Sequence, residues 1–89
     1  MKIKEGFRLR KLGRDNIVVG EGRELVNFNK MVVLNSTAAY LWEKVAGKEF
    51  TVGELTELLT AQYDVSEETA AADARKLADE WIGIGIAEA

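Results

Sequence analysis

MVVLNSTAAYLWEKV, Met31 to Val45, changes character in its middle. Met31-Val32-Val33-Leu34 is a short apolar run of the kind that makes a strand. Asn35, Ser36 and Thr37 then bring side-chain oxygens that can accept from the orphan N–H groups of a first helical turn. Behind them Ala38, Leu41, Trp42 and Val45 recur at helical spacing and form one apolar face. The spacing therefore predicts a strand that enters a helix with no linker between them. The residues before this stretch read as β and those after it as α, so the chain is an α+β domain hinged here.

Upstream, Phe7-Arg8-Leu9-Arg10 alternates apolar and basic, as a half-buried strand does. Gly13 to Asn16 reads as a turn, and the β-branched run Ile17-Val18-Val19 as a second strand. Gly20-Glu21-Gly22 breaks it. Two glycines one apart do not make a phosphate loop without GxxxxGK[ST] and a helix immediately after it. Leu25, Val26 and Phe28 are apolar but irregular, and fit either an extended strand or a packed loop. Asn29-Lys30 suits a tight turn into the third strand.

Downstream, the first helix spans about Ser36 to Ala46, with Gly47 suited to its C-terminal cap. Thr51 and Glu54 form a capping box for a second helix. Its apolar positions are Val52, Leu55, Leu58 and Leu59, and it ends near Gln62. Ser66 caps a third helix, with Glu67 and Glu68 in the first turn, where the helix dipole favours them. That helix runs to about Ile82, leaving Gly83-Ile84-Gly85-Ile86 as a tail whose isoleucines dock on the core. The expected architecture is an N-terminal three-stranded antiparallel sheet followed by three helices, a winged-helix-like order with the wing strands first. Residues 1–89 form one domain on this reading.

Composition removes several function classes. The chain has no Cys and no His. Disulfides, Cys or His metal sites and His-based acid–base catalysis are therefore out of reach. The opening MKIKEGFRLRKLG lacks the apolar core of a signal peptide. No apolar run approaches the ~18 residues that would span a bilayer. A cytoplasmic protein without a membrane partner is expected. The net charge of −3 hides an asymmetry. Residues 1–30 carry eight Lys/Arg against four Asp/Glu (+4), whereas residues 31–89 carry four against eleven (−7). This is either ordinary solvated surface or two faces for partners of different charge.

Leu34-Asn35-Ser36-Thr37-Ala38-Ala39 followed by Leu41-Trp42-Glu43 resembles the PqqD family, named for pyrroloquinoline quinone biosynthesis and also called RiPP recognition elements. The later segments fit too: Gly47, Thr51-Val52 with Glu54-Leu55, Tyr63-Asp64-Val65, Asp73, and a closing Leu77 to Ile86 with glycines. The resemblance covers most of the chain and is weaker before Met31. It implies a non-enzymatic module that holds the leader segment of a ribosomally made precursor peptide and presents it to a modifying enzyme, often of the radical SAM type. For Asp73, a position where the family commonly has Asp, it implies a structural hydrogen bond.

The residues themselves offer a docking geometry. If the third strand lies at the sheet edge, Lys30, Met31, Val32, Val33 and Leu34 expose backbone groups for β-augmentation. On a wheel at about 100° per residue, the third helix carries bulk on one side of its apolar arc, in Leu77 and Trp81. The other side carries Ala71, Ala74 and Ala78, bordered by Arg75 and continued by Ile82. Asp73, Lys76, Asp79 and Glu80 lie opposite. The alanines either floor a groove for a docking backbone or are there as good helix formers. On the groove reading, Ala78→Glu blocks docking and spares the fold. Trp42 and Trp81 fall in apolar stripes and read as core, and Glu54 and Glu57 as solvated surface.

Two other classes compete. A winged-helix nucleic-acid binder needs Lys/Arg on its recognition helix, but Ser66 to Ile82 holds two basic and five acidic residues. A small enzyme would have to work without His or Cys. No cofactor, metal or nucleic acid is expected. A homodimer remains open, because an exposed edge strand can pair with its own kind.

Overall fold

The computed structural model describes residues 1–20 and 32–89. The expectations for Glu21, Gly22, Leu25, Val26, Phe28, Asn29, Lys30 and Met31 lie outside the described residues. In chain order the elements are β1 (Lys2–Ile3), β2 (Phe7–Leu12), β3 (Asp15–Gly20), β4 (Val32–Leu34), α1 (Ser36–Val45), α2 (Val52–Gln62), α3 (Glu67–Ile84) and β5 (Ala87–Glu88). The α+β class and the sheet-then-helices order are as the sequence implies.

β2, β3 and β4 form an antiparallel sheet in that spatial order. Leu12 pairs with Asp15, so the β2–β3 turn is only Gly13-Arg14 and not the four residues expected. Gly13 stands at φ +64, and no residue other than glycine has positive φ among the described residues. A glycine at positive φ followed by an ordinary residue suits the tight II′-type hairpin, whose twist matches its strands. The register aligns Leu9, Val18 and Val32 in one row. Val18 is fully buried, and Leu9 and Val32 pack against the core.

Each helix starts where its cap chemistry places it. The Asn35 side chain accepts from the Ala38 N–H at 2.8 Å, Thr51 from Glu54 at 3.1 Å and Ser66 from Thr69 at 3.2 Å. One orphan donor per helix is satisfied in this way. The expected face of α1 is buried in full: Ala38, Leu41, Trp42 and Val45. Trp42 and Trp81 meet edge-to-face with centroids 5.4 Å apart, and Phe50 meets Trp81 likewise at 6.4 Å. Both tryptophans are core, as their stripes imply.

The tail behaves differently from expectation. α3 runs through Gly83 and Ile84, and Gly85 stops it in the left-handed region at φ 96. The Gly85 N–H donates to the carbonyls of Trp81 and Ile82, and the Ile86 N–H donates to that of Trp81. Such a left-handed closure satisfies terminal carbonyls and reverses the chain. Ile86 then falls into the core at 0 % exposure, whereas Ile84, still helical, points outward at 37 %. Beyond it, β5 pairs with β1, Ile3 facing Ala87. The Phe50 N–H donates to the Met1 carbonyl at 2.8 Å. Two-residue strands carry no periodicity, so this second sheet is invisible in the sequence.

Candidate functional site

β4 is the outermost strand of its sheet among the described residues. One side bonds β3 through the pairs Asn16–Leu34, Ile17–Val33 and Val18–Val32. The other presents backbone groups with no strand against them among the described residues. Side chains alternate along it: Leu34 is buried, Val33 is 57 % exposed and Val32 lies between. An edge of this kind is a template for an added strand.

At the Leu34 end of this edge a cleft of about 400 Å³ opens between the start of α1 and the middle of α3. Its floor is apolar, made by Ala38 and Leu41 of α1, Leu59 of α2 and Leu77 of α3. Leu41 and Leu59 are buried and Leu77 is half-buried. Asn35 and Thr37 line one rim, and Asp73, Lys76 and Glu80 line the other. The Asn35 oxygen is committed to its cap bond, which leaves its NH₂ as a donor at the rim.

The α3 residues named from the sequence for a docking groove do not line this cleft. Ala74 and Ala78 are core residues, 0 % and 1 % exposed, in one buried stripe with Ala70 and Trp81. They are covered by the chain's own packing, and α2 is the described element against which α3 packs most extensively. Ala71 is half-buried, and Arg75 and Ile82 are exposed. None of these three lines the cleft. At 100° per residue they stand roughly 180° around α3 from Asp73, Leu77 and Glu80. Three of the α3 residues that do line it, Asp73, Lys76 and Glu80, lie on the side that the wheel assigns to solvent. Their signal was Leu77, a large apolar side chain at the edge of the arc with carboxylates four residues before and three after. Asp73 is exposed on the rim, and its carboxylate makes no hydrogen bond among the described residues.

A family profile, Coenzyme PQQ synthesis protein D (PqqD), matches residues 17–86, from within β3 to the residue before β5. The chain belongs to the PqqD family. The matched span holds β4, all three helices and every residue of the cleft. No curated protein sequence matches the chain. Among solved structures, one described as TbiB1 in complex with the TbiA(beta) leader peptide is similar, with a TM-score of 0.78 at 15 % identity. The likeness covers 99 % of this chain and 95 % of that one. At that identity it speaks to the fold, and this PqqD-family chain shares it nearly end to end.

Proposed function

We propose that this protein is a peptide-recognition module. An extended leader segment of a ribosomally made precursor adds as a strand along Val32–Leu34 and is wedged, beyond Leu34, into the cleft beside α3. The observation that carries this reading is the open β4 edge running into an apolar-floored cleft, within a PqqD-family fold. It is supported by the similar fold of TbiB1, which was solved with a leader peptide. Of the strand residues named from the sequence, Val32, Val33 and Leu34 keep their role here. On α3 the role passes to Asp73, Lys76, Leu77 and Glu80.

The energetics suit a carrier. Main-chain hydrogen bonds contribute roughly 0.5–1.5 kcal/mol each, and an apolar anchor on the cleft floor about 1.5–3 kcal/mol. Ordering the peptide takes back about 2–5 kcal/mol. The balance fits a Kd on the order of micromolar, tight enough to hold a substrate and loose enough to release it. The module itself is not an enzyme on this reading. It acts as one domain in the cytoplasm and passes the peptide to a modifying enzyme of the radical SAM type. The same edge would let two copies pair when no peptide is bound. No described helix is long and apolar enough to cross a membrane. The nucleic-acid alternative is disfavoured by α3, whose Glu67, Glu68, Asp73, Asp79 and Glu80 are all exposed and would repel phosphates.

The test is selection of a displayed library of random twelve-residue peptides on the whole chain, then calorimetric titration of the enriched peptides. Enrichment of extended sequences with Kd values on the order of micromolar is expected. No enrichment over an unrelated helical protein of equal charge would end the proposal.

A further inference from the structure

The cleft holds more than an apolar anchor requires. Among the described residues, Asp73, Lys76 and Glu80 are the charged ones on its lining, and all three are exposed. Lys76 stands three residues after Asp73 and four before Glu80, spacings at which a lysine can pair on a helix. Yet no ion pair forms between them among the described residues. On the opposite rim the described residues, Asn35 and Thr37, are neutral. Among the described residues the cleft thus carries two carboxylates without an ion-pair partner, one on each side of its Leu77 floor and each about one helical turn from it.

We infer that the cleft reads charge as well as shape. It selects segments in which an aliphatic side chain seats on the Leu41–Leu59–Leu77 floor and a Lys or Arg stands two residues away, and it rejects Asp or Glu there. This rests on the peptide-recognition reading above. The spacing comes from geometry. Side chains two apart on an extended peptide share a face and are separated by roughly 6.5–7 Å. On α3 the neighbours of Leu77 at one turn are roughly 5–6 Å away. An aliphatic residue over Leu77 therefore brings its same-face neighbour over Asp73 or Glu80, according to strand direction. A docked peptide also strips water from the rim, which strengthens an opposite charge and penalises a like one. Lys76 does not cancel this, because among the described lining residues two carboxylates face one ammonium.

The random-peptide selection tests the inference when it is run in parallel on the wild type, on Asp73→Asn/Glu80→Gln and on Asp73→Lys/Glu80→Lys. Circular dichroism melts of the free proteins check that each variant is folded. For the wild type, Lys/Arg should exceed Asp/Glu by about tenfold two residues from the aliphatic anchor. The excess should vanish with the neutral pair, invert with the lysine pair and shrink at 1 M salt, where screening is nearly complete. If the lysine pair does not fold, the neutral pair alone decides. Enriched peptides with no such bias, or with a bias unchanged in the neutral pair, would overturn the inference and leave peptide recognition standing. No enriched peptides at all would overturn both.

Discussion

The two flanks of α3 differ in what their small and large residues do. On the core side Ala70, Ala74, Ala78 and Trp81 form one buried stripe, covered by the chain's own packing. On the cleft side Leu77 is left half-buried between Asp73 and Glu80, with a hollow beyond it. A stripe of alanines thus marks the closed flank, and an incompletely covered leucine among charges marks the open one. Small residues invite close approach, but a folding chain answers that invitation itself before any partner can.

The contrast is broken most severely by a charge on the closed flank. Ala78→Glu and Ala74→Glu each place a carboxylate where exposure is 1 % or 0 %. Burying it costs several kcal/mol, and the added bulk overpacks the site by about 1–3 kcal/mol more. Both variants should lose the cooperative melt at room temperature, read by far-UV circular dichroism. A folded Ala78→Glu would return the alanines to the role of an open wall. On the open flank, Leu77→Ala should cost only about 1–2 kcal/mol, because a half-buried leucine loses less than the ~2–5 kcal/mol of a buried one. The same substitution should weaken a selected peptide by about tenfold or more, since it removes part of the anchor's floor. Denaturant melts and calorimetry would show whether stability and binding part company in this way.

A smaller effect separates cap from cleft at Asn35. Asn35→Ala removes the oxygen that accepts from the Ala38 N–H and should cost about 1 kcal/mol. In a domain of this size that lowers Tm by roughly 4–8 °C. Asn35→Asp keeps the acceptor, so it should keep the Tm while altering the rim. Least of all, Asp73→Asn/Glu80→Gln should move stability by no more than about 0.5 kcal/mol, since both groups are exposed and have no ion pair among the described residues. A loss above ~1.5 kcal/mol in a melt would mean that these carboxylates hold the fold, as the family resemblance implies for Asp73.

The sequence carries the hinge and the caps openly. Asn35, Thr51 and Ser66 each cap the helix expected of them, because capping is settled within one turn by local chemistry. The face Ala38–Leu41–Trp42–Val45 is equally legible, since α1 buries its whole stripe. The flank of α3 is not. A helical wheel gives the width of an apolar arc but not which neighbour covers which part of it, and that depends on where α1 and α2 sit. β1 and β5 are hidden for another reason. Their pairing joins the two ends of the chain, and two residues cannot display a period. The Gly83–Ile86 tail is half legible. The docking of Ile86 can be read from its apolar side chain, but the single left-handed residue that ends the helix, Gly85, had two glycines to choose from.

On the proposed reading a peptide becomes the next strand of the sheet beside β4 and reaches the open flank of α3. Amide hydrogen exchange and chemical shifts by NMR, with and without a peptide from the selection, decide whether it does. Bound peptide should slow exchange at outward-facing amides within Val32–Leu34 and shift resonances of Asp73, Lys76, Leu77 and Glu80, while Ala71, Arg75 and Ile82 stay unmoved. Protection confined to Phe7–Leu12 on the far strand, or shifts centred on Ala71, Arg75 and Ile82, would contradict it.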